Sequence, residues 1–367
     1  MNITFPTLLI DSRIAKENIR KMAEKAVDLG LNFRPHFKTH QSMEIAKWFR
    51  EAGIDQCAVS SVRMASYFAR NGWNKITIAF PVNILEIEAI NRLASAIELD
   101  LLIESAASVE FLSLHLKSKV GIWIKIDCGY HRTGIAPYQT DTIDNILKKI
   151  GRSERLSFKG FLTHNGSTYK CQGADQVLGT HKKVLGDLAR LKEYYLPRFP
   201  DLQISYGDTP SCSLSKTFPE IDELRPGNFV FYDVMQVQIG SCSFDQIAVK
   251  MVCPVVALHP RRNEAVIYGG GVHMSKEFII NNQGKKVYGC VCSIAGSPIT
   301  PCLEENIASS LSQEHGILRL NHDYFQDLKI GDLIEIYPVH SCMTANLMKN
   351  YLSEEGQAIS MLNLLQL

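Results

Sequence analysis

Leu31-Asn32-Phe33-Arg34-Pro35-His36-Phe37-Lys38-Thr39-His40 is an extended run that ends in a cluster of bases. A helical stretch from about Ser42 to Ala52 follows, stopped by Gly53, and Gln56 to Ser60 then reads as a strand. Upstream, Thr7 to Ile10 is a short apolar run. Asp11 or Ser12 caps a helix whose apolar positions are Ala15, Ile19, Met22, Ala23 and Ala26, with Gly30 as its stop. Downstream the alternation recurs. Lys75 to Phe80, Ile97 to Ile103, Val120 to Ile126, Ser157 to Thr163 and Leu202 to Tyr206 read as strands, with a last one at Ile221 to Arg225 or Asn228 to Phe231. Helical segments lie between them, the clearest from Asp175 to Tyr195. Such βα repetition implies a parallel sheet. Eight units over roughly 200–250 residues predict an α/β fold, a closed (β/α)8 TIM barrel. A doubly wound open sheet competes, but no Gly-rich fingerprint follows the first strand. After about Phe244 short β-rich runs take over, among them Gln246 to Leu258, Glu264 to Tyr268 and Asp332 to Pro338. The expected division is a barrel over 1–245 and a mostly β domain over 246–367.

The 367 residues carry 39 Lys plus Arg against 38 Asp plus Glu, a net charge of +1, so the basic excess of a nucleic-acid binder is missing. No apolar stretch approaches the roughly 20 residues of a membrane span, and Met1 to Asp11 lacks the pattern of a signal peptide. Ten Cys without CxxC spacing read as reduced thiols, which places the protein in the cytoplasm.

The chemistry-bearing residues gather where the barrel strands end, the face on which barrel active sites lie. Lys38 follows the first strand, flanked by His36, His40 and Arg34. Nearby cations and partial burial lower a lysine pKa and favour the free amine that a Schiff base needs. A solvated basic loop is the plain alternative. Lys125-Ile126-Asp127-Cys128-Gly129-Tyr130-His131-Arg132-Thr133-Gly134 ends another strand, and Arg132 there suits an anionic cofactor oxygen or a rim salt bridge. In Thr163-His164-Asn165-Gly166-Ser167-Thr168-Tyr169, His164 suits stacking on a flat cofactor and Tyr169 suits proton donation or substrate contact. Ser205-Tyr206-Gly207-Asp208-Thr209-Pro210-Ser211 and Arg225-Pro226-Gly227-Asn228 end the late strands, where barrels bind phosphate. Finally, His340-Ser341-Cys342 follows an apolar run. In an extended chain residues i and i+2 share a face, so imidazole and thiolate there can hold one Zn2+. Only two ligands are visible, as in a catalytic rather than a structural site.

In order along the chain stand Arg-Pro-His-x-Lys-Thr-His, Asp-x-Gly-x-x-Arg-x-Gly, the stretch Glu223 to Asp233, Gln313-Glu314-His315-Gly316 and Pro338-x-His340-x-Cys342. Taken together they resemble the D-serine dehydratase-like and D-threonine aldolase family of pyridoxal-phosphate enzymes, over nearly the whole chain. The resemblance implies the alanine racemase fold, a barrel followed by a β domain, and a homodimer with its active site at the interface. It implies that Lys38 bonds pyridoxal 5'-phosphate and that His36, Arg132, His164 and Tyr169 surround it. Ser205, Gly207, Thr209, Gly227 and Asn228 would fall in the phosphate-binding stretches. His340 and Cys342 match the family's metal pair, for Zn2+ or another divalent ion such as Mn2+. In the aldolases Asp commonly replaces this Cys, so Cys342 favours the dehydratase. Gln41 and Gly269-Gly270-Gly271 depart from the family pattern and leave the substrate open. The expected activity is a lyase reaction on a β-hydroxy D-amino acid: metal-assisted dehydration of D-serine or D-threonine to a 2-oxo acid and ammonia. Lys38 would take the Cα proton, with Tyr169 as a further catalytic group. Retro-aldol cleavage to glycine and an aldehyde, racemisation, and a cofactor-binding carrier or regulatory role are the alternatives.

Overall fold

The computed structural model describes residues 2–362. The chain divides into two compact units, Arg20–Gly227 with the C-terminal Leu362, and Met1–Ile19 with Asn228–Met361. Each is built on its own sheet.

The first strand, β1 (Thr7–Ile10), is followed by a helix, Ser12–Asp28, that buries Ala15, Ile19, Met22, Ala23 and Ala26 at helical spacing. Eight strands follow: β2 (Asn32–Phe33), β3 (Gln56–Val59), β4 (Lys75–Pro81), β5 (Glu98–Ile103), β6 (Val120–Ile126), β7 (Leu156–His164), β8 (Gln203–Gly207) and β9 (Glu223–Leu224). They form one parallel sheet in the order β2-β9-β8-β7-β6-β5-β4-β3. A parallel bridge between His36 and Ala58 joins the two ends. Its backbone bonds are Phe37 N–H to Ala58 O at 2.8 Å and Ala58 N–H to Pro35 O at 2.9 Å. The sheet thus closes into a (β/α)8 barrel. Most of Leu31 to Phe37 lies outside regular strand, because Pro35 has no N–H to give to a ladder. Of the two places expected for the last strand, the chain uses the first, as Glu223–Leu224. Asn228–Val230 is a 3-10 turn.

The other unit is antiparallel. Its β10 (Val249–His259) pairs on one edge with Leu333–Pro338 and, further along, with Glu264–Tyr268. The intervening pairings run through His315–Arg319, Ile307–Leu311 and Gly289–Ile294, so six strands make a closed ring. β1 pairs antiparallel with β10 and parallel with Asn350–Ser353. The short run at the start of the chain is therefore a strand of the second sheet. Among the described residues no helix is long and apolar enough to cross a membrane.

Candidate active site

Two clusters hold the expected residues, one in each unit.

In the barrel unit, Lys38 leaves the closing bridge between β2 and β3. The His36 backbone N–H donates to Pro226 O at 2.9 Å, and its Nδ1 accepts the Lys38 N–H at 3.3 Å. Gly227 lies against this turn: a Cβ there would stand 2.9 Å from His36 O, so only glycine fits. His164, at the end of β7, directs Nδ1 at Gly207 O, 2.8 Å away. A carbonyl only accepts, so Nδ1 carries the hydrogen and Nε2 keeps its lone pair. Burial, then the neighbouring charges of Lys38, Arg225, His164 and Arg132, hold the His36 pKa well below the usual histidine range. Burial, then Lys38, Lys125 and Arg132, do the same to His164. Both shifts favour the neutral imidazole, and cations surround each ring.

Arg132 stands in a loop fixed at its base. Asp127 N–H donates to Ile135 O and Ile135 N–H to Lys125 O, both at 2.9 Å. One oxygen of Asp127 accepts the N–H groups of Gly129, Tyr130 and His131 at 2.9–3.0 Å. This is the physical content of the Asp-x-Gly-x-x-Arg-x-Gly motif. The Arg132 guanidinium lies 5.1 Å from the centre of the Tyr130 ring. Tyr169 follows in the turn Gly166–Lys170, with its ring 5.9 Å from that of His164. Its hydroxyl accepts the Thr209 N–H at 3.2 Å. Thr209 opens the helix Thr209–Leu214, and its buried Oγ1 has no partner among the described residues.

Ser205 is committed elsewhere. Its hydroxyl donates to Glu223 Oε1 at 2.6 Å and accepts from Arg225 Nε at 2.5 Å. The other Glu223 oxygen accepts from Arg34 Nε at 2.7 Å. Arg225 also donates to Thr163 O at 2.6 Å. Sequence reasoning passed over Arg225, Glu223 and Lys125 as site residues. A signal existed: charged residues on strands buried on both faces must be paired or functional. Lys125, buried on β6, has a pKa lowered to about 7 by burial and then by Arg225.

The barrel cluster fits an anionic cofactor. Lys38, Lys125, Arg132 and Arg225 converge, the carboxylate of Glu223 is already engaged, and the Thr209 hydroxyl awaits a partner. An aldehyde-bearing phosphate ester meets these needs, with Lys38 as the amine.

In the second unit, the strand Leu333–Pro338 ends and a helix begins at Ser341. The extended-chain argument for His340 and Cys342 therefore does not hold. His340 is the residue that caps the helix Ser341–Met348, and Cys342 lies in its first turn. Asp233 brings the pair to order. Its Oδ2 accepts from Ser341 N–H at 3.0 Å and faces His340 Nδ1 at 3.4 Å. The bond to Asp233 and the neighbouring Cys342 outweigh burial and raise the His340 pKa to about 9. Asn228, the last residue of the second stretch expected to bind phosphate, sits in this cluster. Its Nδ2 faces Asp233 Oδ2 at 2.8 Å, Ser341 Oγ at 3.0 Å and Cys342 Sγ at 3.4 Å. No group of three or more His, Cys, Asp or Glu suited to a metal occurs among the described residues. A two-donor set of imidazole and thiol, with a carboxylate behind the imidazole, fits a divalent ion with open positions.

Residues 10–233 match the family model described as "Alanine racemase, N-terminal domain", and residues 248–353 match "Putative serine dehydratase domain". The D-serine dehydratase of Dictyostelium discoideum is 29% identical, over 98% of this chain and 96% of its own. The D-threo-3-hydroxyaspartate dehydratase of Delftia sp. is 25% identical over 94% of this chain and 92% of its own. Its solved structure superposes with a TM-score of 0.89, covering 99% of this chain and 98% of that one at 24% identity. A Cys→Ala mutant of that dehydratase, described as the metal-free form, superposes equally well at 23% identity, with the same coverage of both chains. The 3-hydroxy-D-aspartate aldolase of Paracoccus denitrificans is 24% identical over 94% of this chain and 87% of its own.

Proposed function

The chain belongs to the alanine racemase N-terminal domain family, and from that premise we propose that it is a pyridoxal 5'-phosphate-dependent lyase that dehydrates a β-hydroxy D-amino acid of the D-serine type. Two dehydratase relatives over nearly its full length support the reaction class. The observation that carries the reading is the meeting of Lys38 with the imidazoles of His36 and His164 and with several cations at the strand ends of the barrel.

Pyridoxal phosphate, when bound, supplies a sink for the electron pair left at Cα. The protein does the rest. Lys38 would hold the cofactor, and its amine is the base placed to take the Cα proton. Arg132 and the Thr209 hydroxyl hold anionic oxygens. His164 offers an unprotonated Nε2 to the ring, and Tyr169 orients substrate or passes a proton. His340 and Cys342 would hold a divalent ion, Zn2+ by the softness of the donors, and that ion would supply Lewis acidity toward the β-hydroxyl. The metal-free form of the cysteine mutant of the Delftia relative supports a metal-binding cysteine. The overall change would remove water across Cα–Cβ and return water at the C–N bond, giving a 2-oxo acid and ammonia. The proposal includes a homodimer and a cytoplasmic location, the latter supported by ten cysteines that form no disulfide.

Retro-aldol cleavage is the second reading, favoured by the Paracoccus aldolase relative. The test is product analysis after incubation with D-serine, D-threonine and D-threo-3-hydroxyaspartate, with pyridoxal phosphate and Zn2+ supplied. The expected products are 2-oxo acid and ammonia. Glycine and an aldehyde would replace dehydration by the second reading, and unchanged amino acids would overturn both.

A further inference from the structure

We propose that Asp233 and Asn228 are the positioning residues of the His340–Cys342 pair: Asp233 fixes the imidazole so that Nε2 is presented, and Asn228 donates to the Cys342 sulfur. The inference rests on the reading of that pair as a metal site.

The two oxygens of Asp233 do different things. Oδ1 accepts the Gln236 N–H at 3.0 Å and so caps the helix Val234–Ile239. That is the ordinary structural duty of an aspartate here. Oδ2 takes no part in it. It collects Asn228 Nδ2 at 2.8 Å, Ser341 N–H at 3.0 Å, Ser341 Oγ at 3.2 Å and His340 Nδ1 at 3.4 Å. Asp233 is 1% exposed, whereas the His340 side chain keeps 26% of its surface open. The imidazole therefore has one nitrogen turned to a buried carboxylate, which leaves the other for a ligand. A carboxylate behind a histidine fixes its tautomer and raises its basicity toward a metal.

Asn228 completes the arrangement. Its two N–H bonds are shared among three acceptors, Asp233 Oδ2, Ser341 Oγ and Cys342 Sγ. A buried amide that donates to sulfur withdraws charge from it and holds its direction.

The test uses the holoenzyme and zinc itself. Zn2+ affinity is measured by chelator competition, and the visible spectrum is recorded after replacement by Co2+, in wild type, Asp233→Asn and Asn228→Ala. Asparagine can still cap the helix, so D233N separates the two oxygens. The expected result is a 10–100-fold loss of zinc affinity in D233N with cofactor absorbance retained, and a shifted cobalt–thiolate band in N228A. Wild-type affinity in D233N together with an unmoved band in N228A would overturn the inference while leaving the metal site in place. A wild-type protein that binds no zinc at all would remove the metal reading and this inference with it. If D233N does not fold, the cobalt band of N228A decides alone.

Discussion

Arg34 Nε lies 2.7 Å from Glu223 Oε2, which joins the strand that opens the barrel sheet to the strand beside it, 189 residues later. Glu223 is buried at 2% exposure, and Arg34 keeps only 11% of its side chain exposed. Through Ser205 the same carboxylate reaches Arg225. One anion thus serves two buried cations. Removing it by Glu223→Ala leaves both uncompensated and costs about 3–5 kcal/mol of stability. Urea denaturation of the two proteins measures this. An unchanged midpoint would show that the pair does nothing for the fold.

Lys38 is the residue on which activity depends. Lys38→Ala should lower turnover by about 10²–10⁴-fold and abolish the visible absorbance of bound cofactor. Full activity without this amine would end the lyase reading.

Gly166 is held against the Tyr130 ring, where an added Cβ would come within 2.4 Å of a ring carbon. Gly166→Ala must push Tyr130 aside, and Arg132 rests over that ring. Overpacking of this kind costs about 1–3 kcal/mol. Cofactor titration followed by fluorescence should show weaker binding. Wild-type affinity would mean that the loop carrying Arg132 adapts freely.

Lys125 gives a pH dependence with a definite sign. Its folded pKa of about 7 lies below the ordinary 10.5. Between those values the unfolded chain binds a proton that the folded protein does not. Stability of the cofactor-free protein therefore rises with pH across that window. Lys125→Met should stabilise the protein most below pH 7, and the advantage should fade as the pH rises toward 10.5. Denaturation of both proteins at several pH values checks it, and a constant difference would contradict it.

Much of the architecture was legible because it is local. Apolar periodicity and glycine stops located the helices, and runs such as Val120–Ile126, buried at every position, announced a sheet covered on both faces. The places of Lys38, Arg132, His164 and Tyr169 followed, since each ends a strand or its following loop. Thr7–Ile10 shows where this fails. Its pattern says strand, but its partner is β10, some 240 residues away, and nothing local names it. Ser205 was read as a phosphate ligand from its neighbours, while its hydroxyl is taken up by Glu223 and Arg225.

The βα rhythm, the order of the motifs and the residue types available for chemistry are set by spacing along the chain. Only the tertiary structure decided which charges meet. It closed the barrel with a single bridge at His36, set Glu223 between two arginines and turned Asp233 toward His340. Burial makes such meetings obligatory, since a charge withdrawn from water must find a partner. Which partner it finds is fixed by strand order and register, and these emerge only when the whole sheet assembles.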